Sequence, residues 1–145
     1  MNFKIKFLTL IQFIIINISA DQLTIKISGQ TKAGILNLGI YNNAEAYDQS
    51  VQGEERSERG LFSGIDSYIE LKESHEFVIN LPEGTYAIAL FVDANENLKI
   101  DKNFLGIPKE QYGFSNNAMG TLSGPSFEQA KFQVKGSAVQ NIKLK

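Results

Sequence analysis

Residues 86–92, Tyr-Ala-Ile-Ala-Leu-Phe-Val, are apolar on both sides of an extended chain, and Asp93 ends the run abruptly. Successive side chains of a strand point to opposite faces. Tyr86, Ile88, Leu90 and Val92 therefore share one face, and Ala87, Ala89 and Phe91 share the other. Such a strand needs cover twice over, so it is expected in the middle of a sheet or beneath a covering segment. Leu81-Pro82-Glu83-Gly84 reads as the turn that launches it, because the proline ring presets φ and the glycine relieves the exit. The rest of the chain has to be arranged around this strand.

Elsewhere the period is two. Leu23, Ile25 and Ile27 alternate with polar residues, and so do Leu36, Leu38 and Ile40. Residues 30–34 supply a turn between them, which predicts a hairpin. Further strands are expected over 68–71 and 75–81, the second with Phe77, Ile79 and Leu81 on one face. Ala130, Phe132 and Val134 alternate with Lys131, Gln133 and Lys135, Gly136-Ser137 turns, and 139–144 is a last strand. Residues 42–60 are polar; 44–51 suit a short helix, and the mixed charges of 54–59 suit a solvated loop. About seven short strands without a sustained helical period predict an all-β chain, a single antiparallel β-sandwich of Ig-like kind. A long structured loop rich in Asp, Asn and aromatics would interrupt it. A small closed barrel is the alternative.

Residues 1–20 are expected to be removed. Lys4 and Lys6 form a basic start, 7–16 is apolar apart from Thr9 and Gln12, and Ala20 precedes the polar Asp21. That is the layout of a cleaved secretory signal, with an apolar part short for a membrane span. An uncleaved anchor is the alternative. The expected mature domain, 21–145, is periplasmic or secreted and has no stable membrane span. Taking Lys4 and Lys6 from the 14 basic residues leaves 12 against 16 acidic ones, a net charge of −4. A mildly acidic chain without a basic cluster argues against nucleic acid or an anionic membrane as partner. The absence of cysteine excludes disulfides, thiol catalysis, and cysteine-held zinc or iron–sulfur clusters. A domain of this size buries roughly two thirds of its unfolded surface and needs no covalent staple.

Two stretches carry candidate chemistry. Asp93, Asn95, Asn97 and Asp101 place oxygen side chains at relative positions one, three, five and nine, with the Lys99 carbonyl at seven. A calcium loop of EF-hand type uses those positions, and calcium favours such hard oxygen ligands. Position six is Leu98 instead of glycine and position twelve is Phe104 instead of a bidentate Glu, so any affinity is expected to be modest. The alternative is an Asx-rich turn bonded to its own backbone. Downstream, residues 104–114 mix Gly and Pro with aromatics. Tyr112 and Phe114 would either line a groove for a ligand or partner, or fold over Phe91 and Ala89 as a lid. The single histidine, His75, has no triad or metal motif around it and is expected near the surface at the start of a strand.

Residues 81–86, Leu-Pro-Glu-Gly-Thr-Tyr, resemble the strand entry of transthyretin-like and carboxypeptidase-regulatory-like β-sandwich modules. Residues 92–120, with Gly124-Pro125-Ser126-Phe127-Glu128-Gln129-Ala130 after them, closely resemble exported bacterial proteins of the domain of unknown function 2141 family. That resemblance covers essentially the whole mature chain. It implies a periplasmic or secreted β-sandwich and no established activity. Such proteins often carry Gly where this chain has Leu98.

The expected function is that of a non-enzymatic accessory or binding module, stabilised by calcium if the loop takes the ion. Its partner would be an unidentified envelope or extracellular protein or a glycan. The alternative is a metal-assisted hydrolase using carboxylates of the 93–101 loop. An open cleft with two facing carboxylates would favour the hydrolase, and a groove beside Tyr112 and Phe114 would favour binding.

Overall fold

A computed structural model describes residues 20–53, 60–121 and 123–145. The expected signal, except Ala20, and the charged run 54–59 lie outside the described residues. The elements are β1 (Asp21–Ser28), β2 (Gly34–Tyr41), α1 (Ala44–Gln52), β3 (Ser63–Ile69), β4 (Ser74–Leu81), β5 (Gly84–Asp93), β6 (Gln111–Phe114), α2 (Phe127–Ala130), β7 (Phe132–Val134) and β8 (Ser137–Lys143). Among the described residues no helix is long and apolar enough to cross a membrane.

The strands form two open sheets. One has the order β4-β1-β8. In the other, of five strands, β3-β2-β5-β6 follow one another and β7 pairs with the first residues of β5. The sheets face each other across one core. Leu23, Ile25, Ile27 and Ile142 enter it from the smaller sheet, and Leu36, Leu38, Ile40, Ile88, Leu90 and Val92 from the larger. The expectation of a mostly antiparallel, all-β two-sheet architecture holds.

Three details differ. Among the described residues the count is eight strands, because the four-residue β6, too short to show a period of its own, joins those expected. β1 and β8 run parallel, from Gln22 opposite Ser137 to Ser28 opposite Lys143. The expected hairpin between Leu23–Ile27 and Leu36–Ile40 does not form: β1 pairs with β4 and β8, while β2 pairs with β3 and β5. Both sets of apolar residues point into the same core, but from opposite sheets. Alternation reveals which face is buried and is silent on which strand lies alongside. Gln111 holds the crossing segment, accepting from Thr31 N at 2.6 Å and donating to Gly29 O at 2.8 Å.

The larger sheet is covered on its outer face as well. Tyr41 and Ala87 project there and meet Ala46 and Tyr47 of α1 and Phe127 and Ala130 of α2 in a second apolar cluster. Asn43 caps α1 by accepting from Ala46 N at 3.0 Å. Ser126 and Gln129 form a reciprocal capping box on α2, satisfying the helix's first amides. Asp48 of α1 accepts from Phe127 N at 3.1 Å, which docks one helix on the other. The strand read as buried on both faces is therefore both central and covered. Small residues make this possible: a Cβ on Gly39 would lie 2.6 Å from the Tyr41 hydroxyl, whose ring crosses that position.

Candidate functional site

The helices cover one part of that outer face and leave a cleft of about 430 Å³ beside them. Its floor is the sheet itself: Asn37 on β2, Ala89 and Phe91 on β5, Tyr112 and Phe114 on β6. Register explains the grouping, since Phe91 lies opposite both Asn37 and Tyr112, and Ala89 lies opposite Phe114. All five side chains consequently emerge on one face. One wall is the end of α1, from Ser50 to Gly53; the second is a hairpin containing Lys102, Leu105, Ile107 and Pro108. The third is the segment from Met119 to Pro125, apart from residue 122. It packs so closely that a Cβ on Gly124 would lie 2.0 Å from Val51 Cγ1.

Tyr112 and Phe114 thus line a groove. Their ring centroids are 5.8 Å apart and the planes are tilted by 58°. Neither is fully buried. The lid expected over Phe91 and Ala89 is corrected in form: the aromatics stand beside those residues as a neighbouring strand. Asn37 brings a polar group to the floor. Its Nδ2 is buried with no hydrogen-bond partner among the described residues, as is the hydroxyl of Tyr47 in the second cluster. Burial foremost, then Asp48 and Tyr41 nearby, pushes the Tyr47 hydroxyl pKa well above its ordinary value, so it stays protonated.

The cleft's hairpin grows out of the Asp/Asn loop, and the five predicted loop residues lie in one hydrogen-bonded network. Asp93, fully buried, accepts from Asn97 N at 3.2 Å and from Leu98 N at 2.6 Å. Asn95 Oδ1 accepts from Asn97 N at 3.3 Å, and Asn97 Oδ1 accepts from Lys99 N at 3.0 Å. The amide nitrogens of Asn95 and Asn97 donate to Asp101 at 2.8 and 3.2 Å. Leu98 adopts φ 67°, the left-handed conformation for which glycine is the usual residue at position six. For calcium the donor set is chemically suitable, yet its oxygens already accept from the loop's own N–H groups. Among the described residues no three His, Cys, Asp or Glu side chains form a group able to hold a metal.

Sequence spacing missed Glu110. Its carboxylate accepts from Ala94 N at 3.0 Å and from Asp101 N at 3.2 Å, closing both ends of the loop. Partial burial, and secondarily Asp93 and Asp101, raises its pKa above the ordinary glutamate value, while those two backbone bonds oppose the rise. Nothing in the local pattern singles out Glu110. It arrives there because Lys102 and Pro108 pair across the hairpin, folding the chain back on itself. Asn103 stabilises the hairpin's tip, accepting from Leu105 N at 2.9 Å and Ile107 N at 3.0 Å. Lys102 Nζ donates to the carbonyl of Gly53 at 3.3 Å, tying hairpin to α1.

His75 is partly buried at the second position of β4, with Nε2 2.7 Å from Gln30 Oε1. It is remote in sequence and in lining from the cleft. Among the described lining residues there is no Asp, Glu or His.

A family model described as "Uncharacterized protein conserved in bacteria (DUF2141)" matches residues 25–143. No curated protein and no solved structure matches the chain.

Proposed function

Since the chain belongs to the DUF2141 family of bacterial proteins, a family whose description assigns no activity, we propose from the geometry that it is an exported, non-enzymatic binding module. Its site is the cleft on the outer face of the larger sheet. One observation carries this reading: the floor brings Phe91, Tyr112 and Phe114 together with Asn37, whose buried Nδ2 has no partner. Apolar and aromatic walls with a few placed polar groups, at a volume within the ~300–1,000 Å³ range of small-molecule pockets, are what a ligand site requires. The layout of residues 1–20 supports a periplasmic or secreted location. The turn at 81–86 supports kinship with transthyretin-like modules.

A thermal-shift screen of the mature domain against small envelope metabolites and short glycans tests the reading. Compounds that raise the midpoint for the wild type and fail to do so for Phe91→Ala and Tyr112→Ala would support it. A screen without any such compound would count against it.

A second reading concerns the loop. Weak calcium binding through Asp93, Asn95, Asn97, Asp101 and the Lys99 carbonyl is supported by the left-handed Leu98 backbone and by the approach of Glu110. It requires Asn95 and Asn97 to turn their Oδ1 atoms toward Asp101 in place of their nitrogens. Calcium would act here on the hairpin that walls the cleft.

A further inference from the structure

The chemistry of the lining narrows the ligand class for the cleft proposed above, and the inference rests on that reading. Lys102 is the one charged side chain on the lining among the described residues. Its ammonium has three donors and uses one on the carbonyl of Gly53. The other polar group singled out on the lining, Asn37 Nδ2, is also a donor without an acceptor. Donors on a wall of mixed polar and apolar surface fit a ligand with an anionic, acceptor-rich end and an apolar body.

The shape of that body follows from the hairpin. Leu105 and Ile107 line the cleft and are also 68% and 54% exposed, so the apolar wall continues past the mouth into solvent. Phe104 beside them is 94% exposed. Three large apolar side chains at the tip of a hairpin held by the Asn103 bonds form a fixed ledge. A compact ligand would leave that ledge wet. An extended chain lying from the Tyr112–Phe114 floor across Leu105 and Ile107 would cover it, and burying such surface is favourable.

We infer that the cleft binds a single-chain aliphatic carboxylate, a free fatty acid, with its carboxylate at Lys102 and its tail over Phe91, Tyr112 and Phe114 toward Leu105 and Ile107. No covalent step is involved. A mildly acidic chain offering the Lys102 ammonium beside aromatic and aliphatic side chains discriminates by local charge, since its overall charge disfavours anions at longer range.

The test uses the mature domain and three probes of equal chain length below their micellar concentrations: dodecanoate, dodecanol and dodecyltrimethylammonium. Binding is read by shifts of amide and aromatic resonances. Dodecanoate is expected to perturb Lys102, Tyr112 and Phe114 and to bind about tenfold or more tighter than dodecanol, the scale of one charge-assisted contact. Lys102→Glu is expected to reverse the order, favouring the cationic probe, while retaining the wild-type amide spectrum elsewhere. Lys102→Gln is expected to bring dodecanoate and dodecanol together. Equal binding of dodecanoate and dodecanol by the wild type would overturn the inference, as would an order unchanged by Lys102→Glu or shifts confined to another face. In the first two cases binding in the cleft persists and the broader reading stands. If none of the three probes binds the inference fails, and the broader reading fails with it only if the screen of other compounds is also blank.

Discussion

The hydroxyl of Ser115 donates to the carbonyl of Ala130 at 2.6 Å, and through that bond the end of β6 is fixed to α2 beneath the second apolar cluster. The same oxygen accepts from Ile88 N at 2.8 Å, a β5 amide one residue beyond the pairing with β6, which ends at Ala89 opposite Phe114. One fully buried side chain therefore satisfies two backbone groups from two elements. Ser115→Ala would leave Ile88 N without that acceptor in a dry site, while the Ala130 carbonyl keeps only the Asn116 side-chain amide at 3.1 Å. The expected cost is about 1–3 kcal/mol per unsatisfied buried group, read by denaturant unfolding. A loss below about 0.5 kcal/mol, the scale of an ordinary surface substitution, would contradict the role assigned to Ser115.

Leu90 tests the central strand. It is 3% exposed, lies opposite Leu38 on β2 and Gly113 on β6, and faces the core between the sheets. Leu90→Ala is expected to destabilise by about 2–5 kcal/mol, the range for a large-to-small change that leaves a cavity. A change within about 0.5 kcal/mol would place β5 at a surface instead.

Glu110 makes a pH-dependent prediction. Its pKa is raised in the folded chain, so folding binds its proton more tightly than the unfolded state does. The resulting stability is present below the ordinary value of 4.5 and is lost as pH rises through the raised folded value. Glu110→Gln cannot titrate. The stability of wild type minus that of the variant should therefore fall as pH rises from about 4 toward neutrality, the interval above an ordinary glutamate pKa. A flat or rising difference would show that Glu110 is not held as described.

Leu98→Gly bears on the loop and on calcium. A left-handed conformation costs a non-glycine residue about 1–2 kcal/mol, against about 0.5–1 kcal/mol of extra chain entropy lost by glycine on folding. Leu98 is 65% exposed and forfeits little packing, so the variant is expected to gain about 0.5–1 kcal/mol. If the loop takes calcium with a dissociation constant of about 10⁻⁴–10⁻³ M, about 1 mM calcium adds roughly 0.4–1.4 kcal/mol to either protein. Midpoints that ignore both chelator and calcium would leave the loop as a turn held by its own hydrogen bonds.

What the sequence disclosed follows from what periodicity encodes. Residues 86–92 announced a strand needing cover on both sides, because an apolar pattern reports burial directly. The same pattern at Leu23–Ile27 and Leu36–Ile40 suggested a hairpin that does not exist, since burial is common to both sheets and pairing is a property of neither sequence alone. The Asp93–Asp101 loop was legible as a cluster because its members are local. Glu110, Asn37 and Lys102 were not, as they reach their places through pairings between distant segments: Asn37 across β2 and β5, the other two by the fold of the hairpin. Tyr112 and Phe114 stood out as aromatics, while their shared cleft depended on a register the sequence does not print.

The claim on which the functional account turns is that the outer face of the larger sheet is a ligand site. Its most direct measurement is an intermolecular nuclear Overhauser map of the mature domain with the tightest compound from the thermal-shift screen. The predicted contacts run from ligand protons to the rings of Phe91, Tyr112 and Phe114 and to the side chains of Leu105 and Ile107, all on the cleft lining. A ligand whose contacts fall instead on the exposed face of the three-stranded sheet, with those rings unperturbed, would contradict it.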